Sequence, residues 1–217
     1  MSIPASTLAG CSRRPTGSYD RLRGAVRSTV DDDVHYAGVM PFADLVRGVC
    51  LRVPPGALDR TTAQRFGRAL ATLLARRGDA RAPVVVARGD DEDQRALRDG
   101  IVRGLVLSGV DVLDLGIVDS ELFAFALRAG HRGAACAAGV LLGSTGDATS
   151  AMTFLGLAPT SSDTLHELAE LADAGAFVVG QGTVEFPDLR AAFRAEPTGF
   201  DIDIDHTNDD TREGSAL

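Results

Sequence analysis

The residues best suited to chemistry lie together in Gly143-Ser144-Thr145-Gly146-Asp147-Ala148-Thr149-Ser150. Glycines leave backbone amides open to an oxyanion, and Ser144 or Thr145 offers a hydroxyl that could accept a phosphoryl group. The same residue types also make an ordinary connecting loop, so composition alone leaves both readings open. The stretch follows an apolar run over residues 134–142, which reads as a buried strand. It is therefore expected to be an exposed loop at the end of a sheet.

Other candidates are weaker. His35, His131, His166 and His206 are scattered, without the spacing of metal ligands or a nearby nucleophile. Asp201-Ile202-Asp203-Ile204-Asp205 would put three carboxylates on one face of a strand, a set able to hold a divalent cation. It has no glycine for a tight loop and no following Arg, and reads rather as a solvated acidic tail. Two strand-to-helix turns could receive a nucleotide. Arg88-Gly89-Asp90-Asp91-Glu92-Asp93 is too acidic for a phosphate, and Gly116-Ile117-Val118-Asp119 has a single glycine. All 22 basic residues are arginine, so no lysine base, Schiff base or lysine phosphate ligand exists in the chain.

A net charge of −8 over 217 residues argues against nucleic acid and anionic membranes, which need a basic face. No apolar run approaches the length of a membrane span. Cys11, Cys50 and Cys136 are odd in number and far apart, which fits neither a disulfide framework nor a zinc site. A reducing cytoplasm is the expected compartment, and the first residues do not read as a signal peptide.

The elements that must position the 143–150 stretch alternate along the chain. Residues 36–53 look extended, and Pro54-Pro55-Gly56 is a turn. A helix starts at Arg60-Thr61-Thr62, carries Phe66, Leu70, Leu73 and Leu74 on one stripe, and stops at Gly78. Val84-Val85-Val86 is a strand, Leu97, Ile101, Val102 and Leu105 mark a helix, and residues 110–115 form a second strand. Asp119 or Ser120 caps another helix. Residues 152–157 read as a strand, 163–174 as a helix, and Pro187 opens a last one. Alternation of this kind predicts an α/β fold: a three-layer α/β/α sandwich around a mixed, mostly parallel sheet of about four strands. Residues 1–36 read as a disordered arm, 37–197 as the domain, and 198–217 as an acidic disordered tail.

The order of these pieces resembles domain I of the α-D-phosphohexomutases, the phosphoglucomutase and phosphomannomutase family. Pro41-Phe42-Ala43-Asp44-Leu45-Val46-Arg47-Gly48 is similar to the family's FGTDGIRG opening and keeps Asp44, Arg47 and Gly48. Residues 84–88 fall on its VVVGRDTR strand, and the LVLSGVDVLDLG of residues 105–116 is the nearest match. Ala138-Gly139-Val140-Leu141-Leu142 resembles the AGVMI strand that leads into the phosphate-carrying TASHNP loop.

The resemblance implies an isomerase of carbohydrate metabolism that passes phosphate between a serine and a hexose phosphate. It places the phosphoacceptor at Thr145, with Ser144 beside it, and binding groups at Asp44, Arg47, Arg88, Gly143, Gly146 and Asp147. It also implies Mg2+, held by a DGDGDR loop of a second domain that has no counterpart here, so no cofactor is expected for this chain alone. Gly146, Asp147 and Ala148 stand where the family has His, Asn and Pro. The family's Arg after the 84–88 strand falls near Asp91, and a later Lys near Leu155. These losses remove acid/base and charge-stabilising groups. The expectation is a pseudoenzyme-like domain I without mutase activity of its own. Alternatives are a phosphoacceptor subunit completed by a protein partner that supplies the missing domains, and a module that binds a hexose phosphate.

Overall fold

Val84, Val85, Val86 and Ala87 are all fully buried, which a strand achieves only when both of its faces are covered. They belong to β3 (Val84–Arg88), the centre of the computed structural model, which describes residues 41–54, 59–145 and 148–195, with Thr145 described by its backbone alone. The arm at 1–36 and the tail at 198–217 lie outside the described residues. So do Cys11, His35, His206, the 201–205 carboxylates, Gly146, Asp147 and the Pro55-Gly56 turn.

A 3-10 turn at Phe42–Leu45 leads into β1 (Val46–Arg47) and β2 (Cys50–Val53). Helix α1 (Arg60–Arg77) carries the chain to β3, α2 (Glu92–Leu107) to β4 (Val112–Ile117), and α3 (Ser120–Ala129) to β5 (Ala138–Thr145). Strands β6 (Ala148–Leu155) and β7 (Ala158–Pro159), helix α4 (Ser162–Ala174), β8 (Val184–Glu185) and α5 (Arg190–Ala195) complete it.

The sheet runs β1-β2-β6-β5-β3-β4-β8, with β7 on β6. Strands β5, β3, β4 and β8 are parallel to their neighbours in that order, while β5–β6, β6–β2, β2–β1 and β6–β7 are antiparallel. Alternate side chains of β3 sort into the two layers. Val84 and Val86 pack with Leu70 and Leu74 of α1, Ile101 and Leu105 of α2, and Leu165 and Leu168 of α4. Val85 and Ala87 pack with Phe123, Ala126 and Leu127 of α3. The three-layer α/β/α architecture is thus the one expected, but among the described residues the sheet has eight strands rather than about four. The additional ones escape a sequence reading because β1, β7 and β8 are two residues long, too short to alternate. The antiparallel pairings of β1 and β7 also make the sheet less parallel than expected. The extended reading of residues 36–53 gives way at Phe42–Leu45 to the 3-10 turn, whose first amide is held by both carboxylate oxygens of Asp173 at 3.2 Å.

Local signals explain the helix limits. Asp59 accepts from Thr62 N at 2.7 Å and opens α1; Asp119 accepts from Leu122 N at 2.8 Å and opens α3. Gly78 closes α1 at φ +86°, a left-handed position that glycine takes without strain. Helices α1 and α2 meet backbone to backbone. A Cβ on Gly67 would stand 2.2 Å from the Ile101 carbonyl oxygen, and one on Gly104 would stand 2.2 Å from that of Gln64. Among the described residues no helix is long and apolar enough to cross a membrane.

Two outcomes follow. Gly104→Ala gains up to about 1 kcal/mol of intrinsic helix propensity, yet it overpacks the crossing at roughly 1–3 kcal/mol or more; urea unfolding should show a net loss of stability. Hydrogen bonds from backbone amides hold the Asp59 carboxyl below its ordinary value. Its contribution is therefore present above the unfolded-state carboxylate value and lost as pH falls through the lower folded-state value. Asp59→Ala should cost about 1 kcal/mol at pH 7, and the gap between mutant and wild type should close in acid.

Candidate functional site at the β5–β6 tip

Strand β5 outruns its neighbour. Arg88, the last residue of β3, pairs with Leu142, so Gly143, Ser144 and Thr145 project past the end of β3. They are not a free loop, as the sequence suggested. Gly143, Ser144 and Thr145 pair with Ser150, Thr149 and Ala148 of β6, and the stretch is the end of a long antiparallel hairpin. The β-branched and small residues of β6 suit such a ladder, with Thr149, Ala151 and Thr153 buried on one face.

The overhang brings Ser144 above the first turn of α2. Asp91 caps that helix, accepting from Asp93 N at 3.0 Å through Oδ1. Gln94, three residues on, is 2% exposed and reaches back past the cap: its Oε1 accepts from Gly89 N at 2.7 Å. The same amide of Gly89 also points to Leu142 O at 3.1 Å, tying β3 to β5. Gln94 Nε2 donates to Ser144 Oγ at 2.8 Å, and Ser144 Oγ donates to Asp91 Oδ2 at 3.3 Å. The hydroxyl thus lies between an amide and a carboxylate.

The nearby cation is turned inward. Arg88 Nη1 donates to Gly89 O at 2.8 Å and to Asp91 O at 3.4 Å, both carbonyls of its own turn. Its Nε is buried with no hydrogen-bond partner. The foot of α2 is anchored elsewhere by Arg98, whose Nη2 meets the buried Asp114 Oδ2 of β4 at 2.9 Å; Asp114 Oδ1 accepts from Gly116 N at 3.0 Å. Burial pushes the Cys50 thiol up, offset in part by Arg52, and raises the Cys136 thiol too. Both stay protonated and are poor nucleophiles.

The other expected groups are dispersed. Ser144 and Arg88 come together, and Gly143 adjoins them. A Cβ on Gly143 would meet only Ser150 Oγ, at 3.6 Å, so no close approach demands the glycine. Gly146 and Asp147 lie outside the described residues, and Thr145 ends β5. Asp44 and Arg47 are exposed at the β1 edge of the sheet, and Arg47 Nη1 donates to the adjacent Val46 O at 2.8 Å. Arg47 pairs with Cys50, Cys50 with Met152, and Met152 with Leu141. It is therefore three strands, or roughly 14 Å, from β5. His131 bonds Glu185 and His166 bonds Ser162 on other surfaces.

Gln94 is the residue that sequence reasoning missed. A signal existed, since Asp91-x-x-Gln94 ahead of an apolar stripe is a capping-box pattern. Among the described residues no group of three or more His, Cys, Asp or Glu side chains could hold a metal.

Comparison with known proteins now bears on this arrangement. Residues 44–144 match the family model described as phosphoglucomutase/phosphomannomutase, alpha/beta/alpha domain I. Those residues are similar to domain I of that family, over just under half of the chain. No curated protein matches the chain. A phosphoglucomutase/phosphomannomutase family protein from Burkholderia thailandensis superposes with a TM-score of 0.62 at 25% identity, over 71% of this chain and 35% of that one. A protein from Thermus thermophilus, described as a candidate phosphomannomutase, shares the fold with a TM-score of 0.57 at 23% identity, again over 71% and 35%. This chain therefore spans about a third of the length of these relatives. The domain I match ends at Ser144, within the hairpin tip.

Removing the Gln94 amide strips Ser144 of its donor and opens the β3–α2 turn. Gln94→Ala should destabilise the domain by about 1–3 kcal/mol, with faster hydrogen exchange at the Gly89 amide than at amides of β4.

Proposed function

We propose that the chain is a phosphohexomutase-type domain I, of carbohydrate-metabolism lineage, that does not interconvert sugar phosphates alone. The observation that carries this reading is the charge at the tip. A mutase corner must stabilise a transferring phosphoryl group with cations and a metal. Here Asp91 and the amide of Gln94 face Ser144, while Arg88 is spent on its own turn. Fold alone does not restore the missing chemistry. Its place is the cytoplasm, and its relation to isomerases is one of descent.

A second reading is favoured by one feature: the Ser144 hydroxyl is held in a defined direction rather than left free. In that reading the chain is the phosphoacceptor subunit of a split phosphohexomutase. A protein partner carries the remaining domains, their Mg2+ site and the grip on the hexose phosphate. A spent module would retain only the capacity to bind that sugar phosphate.

Purified chain assayed for conversion of hexose 1-phosphates to 6-phosphates is expected to show no turnover above buffer. Turnover by the chain alone would overturn the inactive reading. Turnover only after a protein with the other domains is added would establish the split enzyme. Calorimetry with the same esters separates binding without turnover from no recognition at all.

A further inference from the structure

We propose that the groove between α1 and α2 is the docking surface for this chain's own segment 200–205, Phe200-Asp201-Ile202-Asp203-Ile204-Asp205. The two helices run side by side in one direction. A Cβ on Gly100 would stand 2.5 Å from Arg60 O, and one on Gly104 would stand 2.8 Å from Arg68 N. Arg103 and Leu107 lie three and seven positions after Gly100, on the same stripe of α2, and both are exposed. They therefore border the groove on its α2 side at the level of Arg68. The chain after α4 closes the groove at one end. Thr72 Oγ1 accepts from Val178 N at 3.1 Å, and Leu107 O accepts from Gly180 N at 3.1 Å. Val179, between those two bonds, is 80% exposed, and Leu107 is 40% exposed.

Two cations at this groove lack an opposite charge. Arg68 lies over the Phe177 ring, its Cζ 4.7 Å from the centroid, and its Nε is buried with no hydrogen-bond partner. Among the described residues, neither its guanidinium nor that of Arg103 has a hydrogen bond or an ion pair. Asp99, one turn before Arg103, is paired with Arg98 instead. Exposed aliphatic side chains are ordinary on their own. Beside two uncompensated arginines they suit a partner that is both acidic and apolar, because an arginine stem can cover apolar groups while its head pairs. Segment 200–205 has that character. In extended backbone Phe200, Ile202 and Ile204 fall on one side, and Asp201, Asp203 and Asp205 on the other. The apolar side meets Leu107 and Val179, and the carboxylates meet Arg68 and Arg103. The segment is also within reach. Leu189, just before α5, packs in the cluster that holds Leu113 of β4, the strand beside β8. From Ala195, the end of α5, the chain to Ile204 can extend by up to ~30 Å. Such a tether keeps the local concentration near millimolar, so even a weak contact is populated.

The test is methyl NMR on the full chain, whose five isoleucines give a sparse spectrum. The expected result is nuclear Overhauser contact from the Ile202 and Ile204 δ1 methyls to the methyls of Leu107 and Val179, independent of protein concentration. Arg103→Glu should weaken these contacts severalfold. Replacing Asp201, Asp203 and Asp205 together by Asn should do the same without touching either helix. Salt at about 0.5 M should weaken them as well, since the charges lie at the surface. The Ile101 methyl, buried in the core, reports whether each variant is folded, which separates lost docking from unfolding. Contacts seen only between differently labelled chains overturn the intramolecular occupant in favour of a second copy. No contact, or contact indifferent to salt and to the three asparagines, overturns the proposal.

Discussion

Covering both faces of β3 is the constraint from which the rest of the fold follows. Four successive residues with no exposed surface need a helical layer above and below and a strand on each side. The layers are α1, α2 and α4 on one face and α3 on the other; the flanking strands are β4 and β5. Once β5 runs parallel beside β3 and continues beyond it, its last residues must rise over the loop that β3 sends into α2. The position of Ser144 is thus set by the difference in length of two adjacent strands. The glycine contact between α1 and α2 sets how closely these two helices pack, because side chains at Gly67 or Gly104 would hold the helix backbones apart.

Much of this was legible in the sequence. The helices announced themselves through apolar stripes and through Asp119 and Gly78 at their ends. The three β-branched or apolar runs became β3, β4 and β5. What could not be read was pairing without length. Strands β1, β7 and β8 exist because a partner's edge is available, and nothing in two residues records that. Likewise Gly143-Ser144-Thr145 looked like a loop because small hydroxylated residues serve loops and ladders alike, and only the β6 partner decides between them. Phe177 and Val178 are both apolar but form no strand. They are fastened instead to α1, with Arg68 over the Phe177 ring and Thr72 Oγ1 accepting from Val178 N.

The site was half legible for a related reason. Resemblance to a family motif aligns positions along one strand, and so it pointed at Thr145 and at the missing histidine. It could not report the groups that a different helix brings over. Asp91 appeared only as a lost arginine, and Gln94 not at all. Together they hold the Ser144 hydroxyl between a donor and a carboxylate. Arg88 illustrates the limit of a retained residue. Its identity survives, but its guanidinium serves the turn carbonyls rather than a ligand.

The carboxylate of Asp173 holds the amide of Phe42, and Arg65 donates to the carbonyls of Ala172 and Asp173 at the end of α4. The opening of the domain is thereby fastened to a residue 131 positions later. Such closure is slow in a folding chain, because a long stretch must be ordered before the contact forms. During synthesis from the N-terminus, the first-made edge of the sheet waits until α4 has left the ribosome. Before that point Phe42 has Phe66 of α1 to lie against but not α4, and the nascent chain carries an unfinished apolar edge for most of its elongation.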